Sequence, residues 1–205
     1  MSRLQELLSG PRPALITYLC AGDPDPESSA ALFAALVEGG ADIVEIGVPF
    51  SDPGADGPAI QKSSERALAA GAGLDTALSI AKGLPDSVGK VLFGYLNPFL
   101  SMGYERLAAA CEEAGVDGLL CVDCPPEEEP EFRDALRAHG IDPILLVAPT
   151  TPEARIAEIS RQGAGFLYYV SMTGVTGAAL ADKAAVSERL AQVKAIANLP
   201  VAVGF

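Results

Sequence analysis

Short apolar runs alternate along the whole chain with stretches whose apolar positions recur every three to four residues. The runs at 13–20 (PALITYLC), 41–48 (ADIVEIGV), 90–96 (KVLFGYL), 116–122 (VDGLLCV), 143–148 (PILLVA), 165–170 (GFLYYV) and 200–204 (PVAVG) predict strands. Helical periodicity fills the intervals at 27–38, 58–70, 74–83, 103–114, 127–138, 152–162 and 185–197. Several of the strand runs are apolar almost throughout, without inside/outside alternation. That pattern marks strands covered on both faces, as in a parallel sheet flanked by helices. The opening MSRLQELLSG predicts a short amphipathic helix and lacks the apolar stretch of a signal peptide.

The junctions repeat too. EGGADIVE (38–45), EAGVDGLL (113–120) and RQGAGFLY (161–168) each place glycine at a helix end just before a strand. Glycine there supplies the left-handed conformation that stops a helix. A β-α unit repeated without a linker or a change of composition indicates one α/β domain. No G-x-G-x-x-G follows the first strand, so an open dinucleotide-binding sheet loses its main sequence support. The reading is a (β/α)8 TIM-type barrel, with its active site in the segments after the strands' C-terminal ends. The printed chain stops at PVAVGF, on the seventh strand. The expectation is therefore a single barrel domain over residues 1–205, truncated before the final β/α unit, with something else needed to close the sheet.

One strand breaks its own pattern. In VEIGVPFSDPGADGP (44–58), Glu45 interrupts an apolar strand near its C-terminal end. Val44 and Ile46 would face the helices, so Glu45 would share the inner face with Ile43 and Gly47. Burial there disfavours the anion, and such a carboxyl can act first as an acid and then as a base. The alternative is a buried ion pair, with Lys62 and Arg66 the nearest basic residues along the chain. The following loop, rich in proline and glycine, is stiff enough to hold Asp56 over the barrel mouth. Asp56 could equally be the N-cap of the next helix. After the sixth strand, SMTGVTGA (171–178) could wrap a phosphate in backbone N–H groups or serve as a lid.

Charge and composition narrow the partners. Apolar residues make up 49% and charged residues 20%, as in an ordinary globular protein. Acidic side chains outnumber basic ones 27 to 14, a net charge of −13 that disfavours nucleic acid and anionic lipid surfaces. No apolar run approaches a membrane span, so a cytoplasmic protein is expected. The cysteines at 20, 111, 121 and 124 read as small buried hydrophobes. CVDCPP lacks the helix of a redox motif and the second ligand pair of a zinc site. With His139 as the sole histidine, no metal is expected and histidine-based chemistry is nearly excluded.

Taken in order, YLCAGDPD, EIGVPFSDPGADGPAIQ, YLNP, GVDGLLCVDCP and YYVSMTGVTGA closely resemble the tryptophan synthase alpha subunit family, from about residue 11 to the last residue. The resemblance implies a (β/α)8 barrel that cleaves indole-3-glycerol phosphate to indole and glyceraldehyde 3-phosphate without a cofactor. It also implies a beta-subunit partner, in a heterotetramer, that receives the indole through a tunnel. The docking face for that partner would be the loop 49–58 with the segment Tyr95, Leu96, Asn97 and Pro98. Glu45 then matches the general acid/base, Asp56 the second catalytic carboxylate and Tyr168 the tyrosine near the scissile bond; the swapped assignment, with Asp56 as the acid, stays open. Tyr18, Ile60, Phe93, Leu120 and Phe205 match the indole pocket. Gly177, Gly204 and Phe205 match part of the phosphate site, and Thr176 a lid threonine that orders Asp56. Met172 stands where many members have arginine. The family's remaining phosphate-binding turn, eighth strand and Gly-Ser loop have no counterpart in the sequence. Competing readings are a free-standing indole-glycerol-phosphate lyase, a partner-binding fragment without activity, and another phosphate-binding barrel.

Overall fold

A computed structural model describes residues 1–171 and 183–204. Seven strands pair in chain order, each parallel to the next: β1 (Ile16–Cys20), β2 (Ile43–Gly47), β3 (Gly89–Gly94), β4 (Gly118–Cys121), β5 (Asp142–Val147), β6 (Leu167–Val170) and β7 (Val201–Gly204). The helices are α1 (Arg3–Leu8), α2 (Pro26–Glu38), α3 (Pro58–Ala69), α4 (Leu74–Gly83), α5 (Leu96–Met102), α6 (Tyr104–Glu113), α7 (Pro130–Ala138), α8 (Glu153–Gln162) and α9 (Lys183–Ile196). Most strands are a few residues tighter at their ends than their apolar runs.

Alternation within each strand divides the core into an outer and an inner layer. Val44, Ile46, Leu92 and Leu119 point outward into a cluster with helix residues such as Phe33, Leu78, Phe99 and Leu107. Ile43, Val91, Leu120, Ile144 and Ala202 point inward and meet Phe166 and Leu4 in a second cluster. Residues from strands at both ends of the order join this inner cluster, so the sheet curls on itself as the parallel-barrel reading requires.

The opening helix has a role that its amphipathicity alone does not specify. α1 closes the N-terminal end of the barrel, with Leu4 fully buried. Gly89 and Gly118 make the room: a Cβ on them would lie 3.1 and 2.7 Å from the Leu4 methyls. Arg3 latches the plug through Nη1, shared between the two Asp117 carboxylate oxygens at 3.0 and 3.1 Å, and through Nη2, which donates to the Val88 carbonyl at 2.9 Å. Leu4→Ala is expected to cost about 2–5 kcal/mol, the range for emptying a packed leucine site. Urea unfolding checks this, and a loss below about 1 kcal/mol would show that the plug is loosely seated.

Two expectations need correction. The run at 90–96 does not stay extended: β3 ends at Gly94, and Leu96 opens α5, so Tyr95–Pro98 is a helix entry rather than a strand end and loop. Proline is compatible with the first helical turn, where N–H groups have no intrahelical acceptor. At the junctions, Gly40 and Gly115 take the expected left-handed conformation (φ +95° and +68°), but Gly163 does not. There the positive φ falls on Gly165, where the backbone passes against Asp142.

Candidate active site

Glu45 is the third residue of β2, flanked in register by Tyr18 on β1 and Val91 on β3. It is 3% exposed on the inner face, and among the described residues its Oε1 has no hydrogen-bond partner. The ion-pair alternative fails among the described residues. Arg66 is committed to Asp23 at 2.7 Å, and Lys62 lines an outer groove. Buried Lys90 lies on the helix-facing side of β3, 3.5 Å from Asp86. With no cation beside it among the described residues, burial pushes the Glu45 carboxyl up to about 8. At neutral pH this is an acid that still holds its proton.

Asp56 comes from the loop 48–57. It is 7% exposed, and its Oδ2 accepts the Tyr95 hydroxyl at 3.0 Å. The same hydroxyl accepts the Ala55 N–H at 3.0 Å, so Tyr95 ties both the side chain and its loop. The Asp56 N–H donates to the Pro53 carbonyl at 3.0 Å, and its carbonyl accepts Gln61 Nε2 at 2.8 Å. Asp56 is not a helix cap; Gly57 occupies that position in α3. Burial raises its carboxyl above the ordinary range, and the Tyr95 bond pulls it back down.

Two tyrosines flank Glu45. Burial chiefly, then Cys20, Asp56 and Glu45, raise the Tyr18 phenol, so both candidate carboxyls act on one hydroxyl. Burial and then Glu45 do the same to Tyr168. Phe93 stands between the two rings, edge-on to Tyr18 at 5.4 Å and to Tyr168 at 6.0 Å. Leu120 is fully buried in the inner cluster against which Phe93 and Tyr168 pack. Tyr18, Phe93 and Leu120, three of the expected indole-pocket residues, lie with Tyr168 along one inner wall. Ile60 sits half-buried in the first turn of α3, outside that cluster. Gly204 lies at the end of β7, where a Cβ would overlap the Tyr168 hydroxyl; its carbonyl accepts the Ser171 N–H and hydroxyl at 3.1 and 2.5 Å. Met172, Thr176, Gly177 and Phe205 lie outside the described residues.

Gly47 is the matching seat on the other side, where a Cβ would overlap the Tyr18 hydroxyl and the ring carbon that bears it. A phenol ring cannot fold away as a flexible chain can. Gly47→Ala is therefore expected to cost about 1–3 kcal/mol by overpacking. Chemical denaturation reads this directly, and wild-type stability would mean that Tyr18 moves aside freely.

Tyr95, expected on a docking face, is buried, and its hydroxyl is bonded to Asp56. A usable signal is present in the sequence: Phe93 and Tyr95 are two apart at the end of a strand run and so share its inner side. Among the described residues no cluster of three or more His, Cys, Asp and Glu is arranged to hold a metal. All four cysteines are free and buried, in keeping with the packing role expected of them. No helix of the described residues is long and apolar enough to cross a membrane.

A curled parallel sheet alternating with helices, with the candidate carboxyls and the aromatic wall on its inner side, is the architecture of a β/α barrel. The family model for the tryptophan synthase alpha chain matches residues 4–205. The tryptophan synthase alpha chain of Laribacter hongkongensis is 51% identical over 207 residues, which span 99% of this chain and 78% of that protein. That of Geobacter sulfurreducens is 52% identical over 202 residues, 98% of this chain and 76% of the relative. A Mycobacterium tuberculosis tryptophan synthase structure superposes with a TM-score of 0.92 at 38% identity, covering 100% of this chain and 80% of the other. The chain belongs to the tryptophan synthase alpha chain family, whose reaction is a lyase step of tryptophan biosynthesis.

Proposed function

We propose that this chain cleaves indole-3-glycerol phosphate to indole and glyceraldehyde 3-phosphate, with Glu45 as the acid and then the base, and Asp56 as the charge-stabilising carboxylate. The observation that carries this reading is the buried Glu45, whose Oε1 has no hydrogen-bond partner among the described residues, on an inner face walled by aromatic rings. Glu45 donates its proton to indole C3, which places positive charge on N1. Asp56, fixed by Tyr95, faces the N1–H and stabilises that charge. The resulting Glu45 carboxylate then takes the C3′ hydroxyl proton. The C3′–O electrons form the aldehyde, the C3–C3′ bond breaks, and its electrons return to the indole ring. The carboxyl ends protonated, as it began. Burial without a compensating bond raises Glu45 to about 8, whereas Asp56 is raised by burial but drawn down by the Tyr95 hydrogen bond, which supports this order over the swapped one.

Tyr18, Phe93 and Leu120 hold the indole in this scheme, and Tyr168 stands near the scissile bond. Gly177, Gly204 and Phe205 contribute to the phosphate site, with Thr176 on the lid. The partner is a tryptophan synthase beta subunit. A related structure from Pyrococcus furiosus, with a TM-score of 0.86 and 40% identity over 94% of this chain and 78% of the other, is described as an α2β2 complex. Supporting such docking here are the exposed loop residues Ser51 and Asp52, exposed Asn97 and Leu100 on α5, and an outer groove of about 540 Å³ lined by Phe50, Pro53, Pro58 and Leu68. Stiff, proline-containing loops lose little entropy on docking. The test is indole release from indole-3-glycerol phosphate, with and without a relative's beta subunit. Release stimulated by the partner is the expected result. No release in either arm would sink the catalytic reading, and release without stimulation would sink the partner reading.

A further inference from the structure

We infer that Asp123, in the loop after β4, is a positioning residue for Asp56 and acts through Tyr95. The inference rests on the proposed cleavage and adds to it a residue from a third loop. Tyr95 is the N-cap of α5, in an extended conformation (φ −111°, ψ 155°), with no side-chain bond of its own to the helix. Its ring is too long and rigid to fold back onto the first turn as a serine or aspartate does. The donor at that turn is satisfied from outside instead: the Leu96 N–H reaches Asp123 Oδ1 at 2.8 Å. The Cys121 thiol donates to the same oxygen at 3.3 Å, orienting the carboxylate from the end of β4.

Tyr95 is consequently held at three points. Asp123 fixes the backbone on its C-terminal side, Phe50 lies against the ring with centroids 5.0 Å apart, and the hydroxyl joins Asp56 Oδ2 to the Ala55 N–H. A phenol is a stiff lever, so a small backbone rotation at residue 95 moves the hydroxyl at its far end. Hydrogen bonds weaken steeply once they bend. The loops after β4, β3 and β2 are thereby linked in series, and the last link sets where the Asp56 carboxylate points.

The test compares Asp123→Ala, Asp123→Asn, Tyr95→Phe and the Ala/Phe double variant by two readouts: kcat for indole release, and titration of the Asp56 carboxyl followed by carbon-13 NMR. Asp123→Ala is expected to lower kcat about tenfold with KM within twofold, the scale of effect for a misplaced reacting group. Asp123→Asn keeps an acceptor for the Leu96 N–H and should retain more than half of the wild-type kcat. Losing the Tyr95 donation removes what favours the Asp56 anion, so its titration should move upward in Asp123→Ala and in Tyr95→Phe. Tyr18 and Cys20, the other titratable groups that interact with Asp56 among the described residues, are unchanged in every arm. The double variant should shift kcat and titration no further than Tyr95→Phe alone. Unchanged Asp56 titration in Asp123→Ala, failure of Asn to rescue, or additive losses in the double variant would overturn the inference. A wild type that releases no indole would sink the catalytic reading, and the NMR titration would still decide the role of Asp123.

Discussion

Glu45→Gln is expected to abolish cleavage and, at the same time, to make the folded protein more stable in alkaline buffer. The amide keeps the shape of the protonated acid but can neither donate to C3 nor recover a proton from the C3′ hydroxyl. One acid–base role is worth about 10²–10⁴ in rate, and Glu45 is assigned two in succession, so a loss of at least ~10³ is expected. Binding of a substrate analogue should stay within a few-fold, because the aromatic wall is untouched.

The stability effect follows from the same burial. In the unfolded chain this carboxyl titrates near 4.5, and in the fold it is pushed up to about 8. Between those values the folded state holds the extra proton, so stability falls as pH rises, by about 1.4 kcal/mol per unit. Its contribution is fully present below the lower value and lost once pH passes the upper one. Glutamine has no such slope. Wild type and variant should be similar at pH 5, and the variant should be more stable by roughly 3–5 kcal/mol at pH 8.5. Urea denaturation across pH checks this. A constant difference, or one that grows toward acid, would mean that Glu45 is ionised in the fold; a tenth of wild-type turnover in the variant would remove it from the mechanism.

Asp56→Asn is the second large effect. Asparagine Oδ1 can still accept the Tyr95 hydroxyl, so the loop should keep its shape. What disappears is the negative charge facing N1, in a site where apolar surroundings strengthen electrostatics. A fall in kcat of about 10²–10³ is expected, the scale for deleting one such transition-state contact. The wild-type pH profile should have two limbs. On the alkaline side, turnover falls as Glu45 loses the proton it must donate, with a midpoint near the raised value of about 8. On the acid side it falls as Asp56, raised by burial, becomes protonated. Stopped-flow measurement of indole release reads both. An Asp56→Asn enzyme within about threefold of wild type would show that its charge is not used in the rate-limiting step.

How much of this protein was legible from its sequence depends on the distance over which each feature is decided. Strand and helix alternation, and the inward direction of Glu45 beside Ile43 and Gly47, follow from local periodicity and were readable along a few residues. So was the rigidity of the loop that carries Asp56. The resemblance supplied chemical roles that periodicity does not contain. Most of the missed features are non-local. Whether Glu45 had a cation partner depended on where Arg66 and Lys90 settled: one went to Asp23 and the other to the outer face of β3. Tyr95 turned its hydroxyl to Asp56, 39 residues back, and the Leu96 N–H beside it found its acceptor in Asp123 on the next loop. Leu4 became the plug of the barrel because Gly89 and Gly118, far away in sequence, leave it space. The sequence by itself determined most of the elements and the faces of their side chains, since those depend on backbone geometry repeated about every two or 3.6 residues. Only the tertiary structure decided which buried groups go unpaired and which are held, because desolvation and hydrogen bonding act between segments that meet only when the sheet has curled.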